Sequence, residues 1–541
     1  MRITIPTSRA MVPAVAPKKL EPDQATLARD CVLGSGELRP LGANQHVWNA
    51  TKPGVIRTIY RFARQFWFHW ASDVDVVRTL VPGDTMETTF WTGDGAPRYT
   101  RAGAATSGGG TNYPSNSWQL GVAAPASAPS AADITPAPSP GGDGSIIEPE
   151  KETRFYVYTM VNSEGWESAP SPVSSRVVCP VDGTVHVSGM QTPSAMGQVF
   201  TSKRIYRIST GTDASEFLFV AEVPVSATTF DDNVSGFLLG EVLSTEGWIP
   251  PPDNLQGLIA LPNGVFAGFV GKDLYLTPPY APYAWPMAHR VSTEYSIVAL
   301  GAVGTNIIIM TEGHPYIATG IDPSAVTLAK LEISQACVSK RGVASFGAYG
   351  VVYPSPDGLV AVDSSGPSII TEGLMTEREW REYNPSSFVA AAHDGAYIAF
   401  YEKTDGQRGG LWFHPTFGFT ELGFHATAAW TDLLTDTLFV VVDRQIFAFD
   451  KGDPTPYIWR SKVFQTAPTS FTSARVTGSF PGTATLTVHA DGEELYTIAV
   501  PGPDAFRLPP ALGGKREWQV EVSGTLRIQE IDLASSMGEF R

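Results

Sequence analysis

His69 and Trp70 closely precede Asp73 and Asp75 in the sequence. An imidazole beside two carboxylates has the parts of a catalytic cluster. The same residues occupy alternating aromatic and polar positions, which is how an ordinary sheet face reads, and that plainer reading is the stronger. Further carboxylates follow at Asp357, Asp363, Asp394, Asp405 and Asp443. A glycosidase would need a pair of them. Yet Asp357, Asp394 and Asp405 each precede a glycine, and Asp-Gly is turn chemistry. A third group holds Glu372, Glu377 and Glu379. Glu377 lies four residues before Arg381, the spacing of an ion pair along a short, wet helix face. His314, His393, His414 and His425 fall near turns with no partner at ligand spacing, so each reads as a solvated turn histidine.

The sequence contains no Gly-x-Ser-x-Gly elbow, no His-Glu-x-x-His, no Cys-x-x-Cys and no Walker loop, the motifs that would carry nucleophilic, zinc or phosphate chemistry. The expectation is a protein that is not an enzyme, with no catalytic, cofactor-binding or metal-binding residues and no cofactor.

The elements that would hold these residues are strands. From Asn254 to Asp450 short apolar runs alternate with turns rich in Gly, Asp, Asn or Pro. Val265 to Leu276, Asn306 to Ala318, Val351 to Val362, Tyr397 to Phe413 and Leu438 to Phe449 each read as strand, turn, strand. Their starts recur every ~40–46 residues, the period of a four-stranded propeller blade. The expected fold is all-β: a β-propeller, with unrelated hairpins of a β-sandwich as the alternative.

Composition agrees. The chain has 541 residues, 43% hydrophobic and 17% charged, with 52 Gly and 43 Pro. That is enough for several domains and points to β structure with many turns. The net charge of −16 argues against a dedicated nucleic-acid binder, which would carry a basic field. Three distant cysteines, Cys31, Cys179 and Cys337, predict buried, reduced thiols and folding in a cytosol. No signal-peptide pattern opens the sequence, and no run of roughly 18 apolar residues predicts a membrane span.

In order, residues 1–45 are an arm with a short helix at Pro22 to Arg29, lying on its own domain or on a neighbouring subunit. Residues 46–101 are the first blade of a discontinuous propeller. Residues 102–150, with Gly108-Gly109-Gly110 and Pro136-Ala137-Pro138-Ser139-Pro140-Gly141-Gly142, are an exposed low-complexity linker. Residues 151–250 are an inserted sandwich of fibronectin III-like or immunoglobulin-like pattern, in which Glu167 to Pro172 enter an edge where Pro blocks pairing. Residues 251–465 are the remaining blades, and residues 466–541 a small C-terminal β domain.

Several stretches together resemble one family. They are Phe66-Trp67-Phe68-His69-Trp70 with Val74-Asp75-Val76-Val77-Arg78, and Trp91-Thr92-Gly93-Asp94-Gly95-Ala96-Pro97-Arg98-Tyr99. They continue with Tyr156 to Asn162 and Glu167 to Pro172, then Trp459-Arg460-Ser461-Lys462-Val463-Phe464, and Leu533 to Phe540. These resemble the tail nozzle (tail tubular, or hub) proteins of short-tailed bacteriophages. The resemblance implies a virion tail protein assembled in the host cytoplasm, in a homo-hexameric ring beneath the portal and adaptor. It implies a distal conduit that retains and ejects the genome and anchors tail fibres or a needle. Acidic loops lining the lumen would let DNA pass without specific binding. The alternatives are a carbohydrate-active propeller such as a tail depolymerase, and a receptor-binding tail protein with residues 151–250 as the adhesive part.

Overall fold

The computed structural model describes residues 1–34, 36–139, 148–209, 216–480, 482–509 and 513–540. Among them the single α-helix is the six-residue Glu377–Glu382, and nearly everything else that is regular is strand, so the protein is all-β.

Seven antiparallel sheets follow one another along the chain. The first is the hairpin Thr58–Phe62 with Phe66–Trp70. The second orders Asp75–Arg78, Thr89–Thr92, Arg98–Thr100 and Trp118–Gln119. The third begins at Gln256–Ala260, the fourth at Ile297–Val303, the fifth at Ala344–Ser345 and the sixth at Val389–His393. The seventh runs Ala428–Asp432, Thr437–Val442, Gln445–Ala448 and then back to Gln45–Asn49 from near the chain start. In each four-stranded unit from the third to the seventh, the hairpin read from the sequence is the middle pair of strands. The first strands pack on one another from the second sheet to the seventh, and the seventh packs on Thr58–Phe62. Asp394 and Gly395 both take positive φ, 50° and 69°, in the turn between their strands, as a hairpin's twist demands.

The segment 46–101 is not one blade. Its strands divide between the first and second sheets, and Gln45–Asn49 belongs to the seventh. The cause is burial on both faces. Trp67, Phe68, His69 and Trp70 are all buried. Phe68 meets Trp70 edge-on, and Trp70 lies 5.8 Å from Trp91 of the next sheet. This aromatic run packs against the neighbouring sheet as well as pairing with Thr58–Phe62.

The arm also differs from expectation. Pro22 to Arg29 holds a strand, Ala25–Arg29, in place of a helix. It pairs antiparallel with Tyr457–Ser461 and meets the sixth sheet through Arg29 and Glu421. Tertiary pairing overrides a weak local preference here. Arg2–Pro6 pairs with Arg527–Ala534, so the arm lies on its own chain. The described residues of 466–540 contribute to two sheets around Trp518, Val520, Ile528 and Ile531. One of these sheets runs through Ala25–Arg29 into the sixth sheet.

Residues 102–150 are not an exposed tether throughout. Ala105, Tyr113, Leu120 and Val122 are buried, and Trp118–Gln119 and Ser130–Asp133 are strands. Gly121, at φ +116°, lets the backbone approach Pro250, whose Cβ would lie 2.6 Å from an added Cβ. Pro140-Gly141-Gly142 lie outside the described residues. The insert sets Ser130–Asp133, Val185–Ser188 and Thr229–Asp232 opposite Val177–Pro180, Lys151–Asn162, Phe200–Ser209 and Leu218–Pro224. At its edge the Pro-rich stretch does pair. Ser168, Ser171 and Ser174 donate backbone N–H to the carbonyls of Met160, Tyr158 and Tyr156. Their Oγ atoms accept from the same three residues' N–H groups at 2.9, 3.2 and 2.9 Å. Serine side chains thus supply acceptors that a Pro-interrupted backbone cannot.

Candidate functional site

The candidate site is where the first strands of the sheets begin. Asp73 and Asp75 stand at the entry to the second sheet, and Lys340 and Arg341 stand just before the fifth. Lys340 Nζ lies 2.7 Å from Asp75 Oδ2, and Arg341 Nε lies 3.2 Å from Asp73 Oδ1. Asp75 Oδ2 also accepts from the N–H of Gly257 at 2.8 Å, at the start of the third sheet. Arg341 Nη2 donates to the carbonyl of Arg57 at 3.0 Å and to that of Thr427. Four side chains therefore join the entries of the first, second, third, fifth and seventh sheets.

Local geometry fixes the carboxylates. Gly93 sits at φ +100°, and a Cβ there would come within 2.2 Å of the Asp73 carbonyl. Only glycine lets the Trp91 strand turn this close to the Asp73 backbone. The four charged groups are each between about a fifth and a third exposed, so their pairing is partly desolvated. Burial lowers the Arg341 pKa, the Asp73 charge opposes that, and the nearby Arg57 charge adds to it. Each carboxylate faces a cation.

A cavity of about 670 Å³ opens above this cluster. Its wall includes Arg57, Lys340, Arg341, Lys403, Arg408 and His425, with Asp73 and Glu402 as its carboxylates. Glu402 pairs with Arg408 at 2.7 Å.

His69 and Trp70, which precede the aspartates in sequence, are not part of the site. His69 is fully buried; its Nε2 accepts from the N–H groups of Thr51 and Lys52, and its Nδ1 donates to the Trp67 carbonyl. Asp357 accepts from Arg381 and Gln335. Asp363 and Asp405 accept from backbone N–H two residues on, as turn residues do. Asp394 and Asp443 sit in turns with positive φ. Glu377 pairs with Arg381 at 3.3 Å, and Glu379 closes a capping box with Thr376. Glu372 is exposed. His314 bonds the Ile333 carbonyl, His393 lies 3.9 Å from Asp436, and His414 accepts from Thr416 N–H. Only His425 reaches the cavity. Lys340 and Arg341 were not singled out by sequence; their one signal is a pair of adjacent cations preceding an apolar strand.

Cys31, Cys179 and Cys337 are buried free thiols. Burial raises all three, Cys337 to about 12, which removes thiolate reactivity. Among the described residues no group of three His, Cys, Asp or Glu could hold a metal, and no helix is long and apolar enough to cross a membrane.

No protein-family model and no curated protein matches the chain. Among solved structures it is similar to the extracellular domain of a hybrid two-component system from B. thetaiotaomicron, at 10% identity over 94% of this chain and 78% of that one, with a TM-score of 0.28. It is similar also to PorZ, a surface component of the type-IX secretion system of Porphyromonas gingivalis, at 9% identity over 90% of this chain and 77% of that one, with a TM-score of 0.26. TM-scores this low transfer neither a fold family nor a function to this chain.

Proposed function

We propose that the chain is a structural subunit of a ring assembly, of the phage tail-nozzle kind that its sequence resembles. The seven sheets are blades of a discontinuous β-propeller, with Gln45–Asn49 completing the last blade and a fibronectin III-like insert between the second and third. The observation that carries this reading is the axial cluster. The carboxylates Asp73 and Asp75, where a propeller enzyme would keep its acid and base, are tied to Arg341 and Lys340. They serve as cross-blade rivets, which favours architecture over catalysis. The paired side chains then cross the propeller axis, so DNA would pass along the axis of the ring and between subunits.

The test is a solution mass with negative-stain imaging of the full chain. Six-membered rings are expected, alone or with the adaptor ring present. A monomer under both conditions overturns the reading. Purified rings should show no tight, salt-sensitive binding of duplex DNA. New reducing ends from host polysaccharide would establish the carbohydrate-active alternative instead.

A further inference from the structure

The cavity over the axial cluster is cationic in a protein of net charge −16. Five Lys or Arg side chains line it against two carboxylates, Asp73 and Glu402. Both carboxylates are already engaged, with Arg341 at 3.2 Å and Arg408 at 2.7 Å. Lys340 faces Asp75 below. That leaves Arg57 and Lys403, which among the described residues have no carboxylate within ion-pairing distance. Arg57 is exposed at the rim. Lys403 is held by aromatic faces, its Nζ 4.9 Å from the Tyr383 ring centroid and 5.8 Å from that of Tyr401. The ring of His425 also lines the cleft.

Self-repulsion between unpaired cations in one concavity is unfavourable unless something answers it. Like charge does gather here, since the Arg57 charge acts against that of Arg341. The cavity is also of the size that holds small molecules, typically ~300–1,000 Å³. A fork of guanidinium donors with an ammonium matches an oxyanion with two or more charged groups.

We infer that this cleft binds a small multivalent oxyanion, gripped by Arg57 and Lys403. Phosphate esters and polycarboxylates share that chemistry. The site is independent of whether the subunit forms rings.

Calorimetric titration of the full chain with pyrophosphate and with citrate tests this, at low and at high salt. Saturable one-to-one binding of at least one probe, weakened by salt, is expected. Pyrophosphate alone binding identifies a phosphorylated ligand, and citrate alone a carboxylate. The Arg57→Gln/Lys403→Gln variant should bind at least ~10-fold more weakly, since each charged hydrogen bond is worth about that factor. Lys18→Gln, far from the cleft, should bind as the parent does. Arg57 is exposed and Lys403 rests on the rings of Tyr383 and Tyr401, so hydrogen exchange on the parent protein gives a second readout that needs no variant: the probe should slow amides at 402–408. Absence of saturable binding by both probes, or equal binding by the double variant, overturns the proposal. So does binding of a short DNA duplex with no binding of either small anion.

Discussion

His69 offers one nitrogen to two backbone N–H groups and gives its only proton to the Trp67 carbonyl. Protonating Nε2 would turn that acceptor into a donor facing donors. Burial holds its pKa below the ordinary value of 6.5, the Trp67 carbonyl opposes this, and the charges of Lys52 and Arg444 reinforce it. Burial likewise lowers His289, His393, His414 and His425. As pH falls, the unfolded chain takes up these protons first. The stability the neutral rings provide is present above the ordinary histidine pKa and is lost below it, at about 1.4 kcal/mol per pH unit for each ring that stays neutral in the fold. Melting temperature should therefore drop steeply from about pH 7 to about pH 5. His69→Gln should lower it at pH 7 and flatten part of the slope; an unchanged slope would remove His69 from the account. The Lys340–Asp75 pair makes a second prediction at this scale. Lys340→Met leaves Asp75 half-buried without its cation and should cost about 1–3 kcal/mol in denaturant titration. Adding Asp75→Asn should recover part of that loss, because the Gly257 N–H keeps an oxygen to bond. Additive losses in the double variant would mean that the two side chains act separately.

Strand pairing at the element scale divides into what local sequence writes and what it does not. The hairpins of 254–450 were legible because alternation and Asp-Gly turns act between neighbours. The partners of Gln45–Asn49 and Ala25–Arg29 lie some 400 residues away, and nothing local encodes such a pairing. The candidate site fails in the same way. Asp75 was visible as a carboxylate, but its cation stands 265 residues on. The serine edge of the insert was misread for a different reason: the prolines signal a blocked backbone, and the three-residue spacing of Ser168, Ser171 and Ser174 is the compensating signal. Each Oγ accepts from a strand N–H and donates its own O–H to a nearby carbonyl, of Ala169, Pro172 or Ser175. Replacing all three with Ala should orphan three buried amides, at about 1–3 kcal/mol each. Hydrogen exchange should speed up at Tyr156, Tyr158 and Met160 while Ile307, Ile308 and Ile309 of the fourth sheet stay protected. Uniform loss of protection in both places would mean that the insert and the sheets unfold as one unit.

The whole molecule is built so that an inserted unit leaves and rejoins the sheets at one point. Gln119 Nε2, at the end of the second sheet, donates to Asp253 Oδ1 at 3.0 Å, just before the third sheet begins. A flexible hinge there would let the insert swing, yet a second contact fixes it. Trp166 stacks on Tyr283 at 4.9 Å and meets Tyr99 at 4.9 Å, and Glu164 pairs with Arg101. The insert is thereby keyed into the aromatic core between the second and third sheets, where Phe90 and Trp285 are buried. Trp166→Ala should cost about 2–3 kcal/mol, the lower part of the range for large aromatics because the ring is only half-buried. Its main effect should be on shape: small-angle scattering should show a larger radius of gyration and a broader distance distribution, with the sheets intact by circular dichroism. If the profile is unchanged, the contacts at 164–166 are not what holds the insert, and the Gln119–Asp253 junction alone must set its direction.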